Sequence, residues 1–212
     1  MTSIFKSLRN LNQRNHMLFN LEEIQSQSYP ALNAKLSKIA SEAFLLENFS
    51  EDESKEFDIF LSYSSFDREI VLKLVGMIEA FGYSVYVDWQ GDPQLGQNGV
   101  SKKTAECLRN RLDHCKCLLY AATIGSKISK WMPWETGYMD AKRGRVAILP
   151  VAESHLKSRA DIYHGQEYLS LYPYISKEKI EKTSKIVLWA NESEHCYCKF
   201  DNWLNGEMPK EH

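Results

Sequence analysis

The sequence predicts an open α/β fold on a mostly parallel sheet, and three observations carry that prediction. Short apolar runs of strand character at 57–61, 84–88, 117–121 and 146–150 alternate with segments of helical period. The first run passes straight into a hydroxyl-rich turn, Ser62-Tyr63-Ser64-Ser65-Phe66-Asp67. Downstream, Trp131-Met132-Pro133-Trp134-Glu135 sets a carboxylate one helical turn after a tryptophan. Together they place a small-molecule site at the carboxyl edge of the sheet, with a single glutamate as its chemical group.

Each element has its local reason. A helix over about 67–81 shows one apolar face, Ile70, Val71, Leu74, Val75 and Ile78, and Gly82 closes it. The strand at 84–88 empties into Trp89-Gln90-Gly91-Asp92-Pro93-Gln94-Leu95-Gly96-Gln97-Asn98-Gly99, a long glycine- and proline-rich loop. Such a loop is either functional or a mobile excursion. A helix over about 101–113 turns Ala105, Leu108 and Leu112 inward, and a further helix covers 131–142. Proline lacks an amide hydrogen and is tolerated only in a first turn, so Pro133 sets the start of that last helix near Ser129 or Lys130. Glu135 then falls close to the amino end, where the macrodipole favours a carboxylate. Trp131 and Glu135 share a face, and on spacing alone the simpler reading makes Trp131 and Trp134 core anchors and Glu135 a common first-turn glutamate.

The flanks divide the chain. Residues 1–55 carry helical periodicity, with Ile4, Leu8, Leu11, Leu32, Leu36, Ile39 and Phe44, and end in the charged run Glu51-Asp52-Glu53-Ser54-Lys55-Glu56. They read as a helical extension ahead of a core domain at 56–175. Residues 176–212 read as a C-terminal extension, with a β-hairpin formed from 186–190 and 196–200 and a short helix begun by Trp203 and Leu204. Pro173 marks the run 168–175 as an edge strand.

Composition excludes several classes. A chain of 212 residues, 43% hydrophobic and 25% charged with a net charge of −2, has globular composition and no basic bias toward nucleic acid. No apolar run suits a signal peptide or membrane span, and a cytoplasmic protein is expected. Four of the five cysteines sit in His114-Cys115-Lys116-Cys117 and His195-Cys196-Tyr197-Cys198. Structural zinc sites use wider Cys-x2-Cys knuckles, so packing is expected and no metal.

The run Phe57-Asp58-Ile59-Phe60-Leu61-Ser62-Tyr63-Ser64-Ser65-Phe66-Asp67, continued by Gly82-Tyr83-Ser84-Val85-Tyr86-Val87-Asp88-Trp89, resembles the opening of a Toll/interleukin receptor (TIR) domain. Ser129-Lys130-Trp131-Met132-Pro133-Trp134-Glu135 resembles that family's tryptophan-x-x-x-glutamate helix. The resemblance implies a flavodoxin-like open parallel sheet. It also implies that Glu135 is the catalytic residue of an enzyme cleaving NAD at the nicotinamide-ribose bond, with NAD as substrate and no cofactor. By the same resemblance the loop from Trp89 to Val100, with Gly91, Gly96 and Gly99, acts in self-association and gates the site. Bacterial stand-alone members of this layout make ADP-ribose or cyclic ADP-ribose signals in Thoeris antiphage defence, read by a separate effector. Other members are adaptors that act by TIR-TIR association. Ser62, Tyr63 and Phe66 are the expected pocket lining, with Phe66 and Trp131 as stacking surfaces and Asp67 as the cap of the first helix. One departure is the absence of a basic residue between Ser62 and Phe66, where some enzymatic members place one.

Overall fold

In a computed structural model the described residues are 17–26, 55–87, 102–152, 163, 166–180 and 183–212. The chain enters through β1 (Phe19–Asn20) and α1 (Leu21–Ser26). The alternating core follows as β2 (Phe57–Ser62), α2 (Arg68–Glu79), β3 (Val85–Tyr86), α3 (Lys102–Asp113), β4 (Cys115–Ala122), α4 (Trp131–Arg143) and β5 (Val146–Ala152). β6 (Tyr174–Lys179), β7 (Ile186–Asn191), β8 (Cys196–Lys199), α5 (Phe200–Leu204) and β9 (Lys210–Glu211) complete it.

Among the described residues these strands form one sheet in the order β3-β2-β4-β5-β6-β7-β8-β9. Pairing is parallel from β3 through β6 and antiparallel from β6 through β9. The predicted α/β sheet is therefore present, and the expected hairpin continues the same sheet. β6 departs from expectation: it lies between β5 and β7, an interior position. The reason is that the strand begins only after Pro173, whose carbonyl accepts the Ile148 amide at 2.8 Å, so the proline withholds no ladder donor.

Two apolar layers cover the two faces. On one, Val71, Leu74 and Ile78 of α2 pack with Ile59, Leu61, Leu119 and Leu149, joined by Phe200 and Trp203 of α5. On the other, Leu108 and Leu112 of α3 and Met132 and Met139 of α4 pack with Phe60, Leu118, Tyr120 and Ile148. Burying each of these large side chains stabilises the fold by roughly 1.5–3 kcal/mol before entropy is counted. Cys117 and Cys198 belong to the first layer and Cys115 to the second, while Cys196 is half-exposed. Burial pushes the Cys115 thiol up to about 12, which leaves it without thiolate character near neutrality.

Residues 17–26 depart from a purely helical reading. Phe19 and Asn20 run parallel to Val151 and Ala152 of β5, and Met17 bridges to Lys177 of β6. This segment lies between the diverging ends of β5 and β6. Phe19 and Ile24 are fully buried, and the Lys177 ammonium binds Glu23 at 2.5 and 2.6 Å while resting over the Phe19 ring. A two-residue strand has no alternation to betray it.

Candidate active site

The strand order changes direction at β2, which has β3 on one side and β4 on the other. In open α/β sheets the crevice beyond the carboxyl ends at such a switch point receives ligands. Ser62 is the last residue of β2, and its side chain is buried. From the facing helix α4, Glu135 reaches the same point: the Ser62 hydroxyl donates to Glu135 Oε2 at 2.5 Å. Glu135 itself is only 7% exposed. Sheet edge and helix thus deliver one buried carboxylate, oriented by a hydroxyl, to the place where a ligand is expected.

The helix starts one or two residues later than expected, and Glu135 lies close to its amino end, just past the first turn. α4 begins at Trp131, so Glu135 is its fifth residue and the first turn holds no acidic side chain. The macrodipole weakens beyond the first turn, and the Ser62 hydroxyl takes over the orienting role. The helix start is capped by Ser129, whose Oγ accepts the Met132 amide at 3.3 Å. Gly144 closes the far end in the left-handed conformation, φ 58°.

The remaining expected residues divide. Tyr63 follows Ser62 in the chain and packs against the opposite layer, the one covered by α2. Successive residues of extended chain point to opposite faces, so Ser62 and Tyr63 cannot both turn toward Glu135. Phe66 stands in a 3-10 turn (Ser65–Asp67) and is 64% exposed. Ile124 and Ile128, at a second 3-10 turn (Gly125–Ile128), are exposed as well, giving this edge an apolar rim. Trp131 is half-buried, edge-to-face with Trp134 at 5.4 Å, and its Nε1 finds no acceptor among the described residues. Trp134 stacks on Tyr138 and carries the Arg109 guanidinium over its ring. The tryptophan pair packs, half-buried, at the margin of the second layer. Trp89, Gly91, Gly96 and Gly99 lie outside the described residues.

Asp67 was expected to cap α2. It occupies the cap position but makes no capping bond; its Oδ2 accepts the Thr123 hydroxyl at 2.5 Å. Burial raises its carboxyl above the usual aspartate range, and the Thr123 bond offsets this only in part. No local sequence signal foretells that pairing.

The sheet thus carries at its switch point a buried glutamate preceded by a tryptophan on the same helix. Residues 59–185 match the TIR domain family model, and the chain belongs to that family. It is 44% identical over 195 residues to the Bacillus cereus (strain MSX-D12) protein named "Probable 3' cyclic ADP-D-ribose synthase ThsB'", spanning 88% of this chain and 97% of that one. It is 28% identical over 94 residues to the Cytobacillus dafuensis protein named "Putative cyclic ADP-D-ribose synthase TIR2", across 44% of this chain and 25% of that protein. No helix among the described residues is long and apolar enough to cross a membrane.

Proposed function

We propose that this chain cleaves NAD at the nicotinamide-ribose bond and makes a cyclic ADP-ribose type signal in antiphage defence. The observation that supports it most is the buried Ser62–Glu135 pair at the switch point. Nicotinamide departs as a neutral molecule from a cationic pyridinium, so the leaving group needs no general acid, unlike glycoside hydrolysis by paired carboxylates. One carboxylate suffices. Glu135 holds the ribose hydroxyls and offsets positive charge as it grows on the anomeric carbon, a gain made chiefly in the transition state. Ser62 fixes the rotamer of that carboxylate. A hydroxyl of the same molecule, in place of water, then bonds to the anomeric carbon that nicotinamide has left and gives up its proton to solvent, which closes the ring. Phe66 and the rim formed with Ile124 and Ile128 offer apolar surface to the nicotinamide as it leaves.

In this reading NAD is the substrate and no resident cofactor takes part. The protein works in the cytoplasm, associates through its TIR domains, and hands its product to a separate effector. Association through residues 89–100 completes the site, and such a head-to-tail contact extends into rings or filaments.

The test is incubation of the protein with NAD and identification of products by mass spectrometry, across a range of protein concentrations. Nicotinamide and a cyclic ADP-ribose are expected, with specific activity rising with concentration. Equal turnover by wild type and Glu135→Gln would remove Glu135 from the chemistry. A flat concentration profile would remove the assembly step and leave a monomeric enzyme.

A further inference from the structure

Two segments meet at the carboxyl edge of the sheet: the turn from β2 into α2, and the turn from β4 into α4. They are bridged twice. One bridge joins Ser62 to Glu135, and the other joins Thr123 to Asp67. The second lies at the root of the β4–α4 turn, because Thr123 is the residue immediately after β4.

A continuous chain of hydrogen bonds leads from that root to the helix carrying Glu135. Thr123 Oγ1 donates to Asp67 and also accepts the Ser126 amide at 3.2 Å. The Ser126 hydroxyl returns to the Thr123 carbonyl at 2.8 Å. The Ser126 carbonyl receives the Ser129 amide at 3.3 Å, the Gln166 Nε2 at 3.3 Å and the Tyr120 hydroxyl at 3.4 Å. Ser129 Oγ then caps the first turn of α4 through the Met132 amide. Each residue from Thr123 to Met132 that sets this path is fixed to its neighbour.

Gly125 shows that the fit is close. A Cβ there would collide with Asp67 Oδ2, although the glycine lies outside the left-handed region that ordinarily calls for this residue. The Asp67 carboxylate therefore lies directly against the Gly125 backbone. It is a half-buried carboxylate held by a hydroxyl and by contact, at a place where ordinary helix capping would have sent it back to its own helix.

We propose that Asp67, Thr123 and Gly125 form a positioning clasp that sets the start of α4 and thereby the reach of Glu135 toward Ser62 and the substrate. The inference rests on the reading of Glu135 as the reacting carboxylate. The three residues act through the turn, as positioning residues. Since a misplacement of about 1 Å costs on the order of a hundredfold in rate, a clasp that prevents even part of one is a measurable contributor.

Thr123→Val keeps the shape and removes the donor; Thr123→Ser keeps the donor; Gly125→Ala displaces Asp67. Nicotinamide release is measured for each, alongside amide hydrogen exchange over residues 125–135. A stability control is Lys116→Met, which removes an ion pair at the other end of β2. Thr123→Val and Gly125→Ala are expected to lower kcat about five- to tenfold with KM for NAD changed less than twofold. Exchange in the first turn of α4 should quicken, and Thr123→Ser should restore both readouts. Unchanged exchange and unchanged kcat in Thr123→Val would overturn the clasp. So would an equal fall in kcat in Lys116→Met, since general destabilisation would then explain it. The exchange readout does not depend on NAD: a wild type that releases no nicotinamide, with Thr123→Val still loosening α4, would sink the enzymatic reading and leave the clasp standing.

Discussion

The two ends of β2 treat a carboxylate in opposite ways. At the amino end Asp58 receives the Lys116 ammonium at 2.8 Å and both the amide and the hydroxyl of Ser84 at 2.9 Å. Burial works to raise its carboxyl, but Lys116 and Ser84 outweigh it and hold Asp58 below the usual range. At the carboxyl end Asp67 and Glu135 are each met by a hydroxyl, and Asp67 is held above the usual range. The amino end uses its carboxylate to tie three strands together. The carboxyl end holds its carboxylates on hydroxyls instead, and for Asp67 that bond offsets the cost of burial only in part.

Substitutions can break this contrast. The largest effect is expected from Glu135→Gln, which keeps size and removes charge: nicotinamide release should fall by at least about a hundredfold with the thermal midpoint preserved. Retained turnover would place the chemistry elsewhere. Ser62→Ala should cost about tenfold in kcat, the worth of one orienting hydrogen bond of about 1.4 kcal/mol, while NAD binding measured by calorimetry on Glu135→Gln/Ser62→Ala matches Glu135→Gln alone. At the other end, Asp58→Ala should lower stability by about 1–2 kcal/mol in urea unfolding and leave kcat within about twofold. A matching loss of kcat there would erase the division between the two ends.

The smallest effect is one of pH, and its sign separates the two aspartates. Asp67 has a raised carboxyl, so the stability it contributes is full below the ordinary aspartate pKa and lost as pH rises through its own higher value. Asp58 has a depressed carboxyl, so its contribution is present above the ordinary value and lost as pH falls through its own lower one. Asp67→Asn should remove a gain in stability that the wild type shows on moving from neutral to mildly acid pH. Asp58→Asn should remove part of the loss at stronger acid. Urea midpoints followed against pH read both, and parallel curves for all three proteins would contradict the assignment.

Much of the core was legible because its signals are local. The apolar stripe of α2, the apolar run of β4 and the place of Pro133 are periodic, compositional or stereochemical facts that a single chain displays. The position of Glu135 was legible to within a turn, since proline bounds a helix start without fixing it. Ser62 could be singled out by its place at a strand end, but its bond to Glu135, 73 residues away, could not. Tyr63 was misplaced by treating that strand end as a list of neighbours, although a period of two already sends adjacent side chains to opposite faces. The Asp67–Thr123 pair and the insertion of Phe19 beside Val151 were illegible, because each depends on partners distant in sequence and neither leaves a local pattern.

The tie between Glu23 and Lys177 spans 154 residues of chain. The Glu23 tie and the packing of Lys177 over Phe19 therefore form only once β6 has been made. At a synthesis rate of about 5–20 residues per second, that interval is on the order of ten to thirty seconds. During it the parallel strands can begin to pair, but β5 and the segment beside it have no β6 to close on. Residues 17–26 thus complete their contacts late, and a nascent chain halted before β6 would leave one side of Phe19 uncovered.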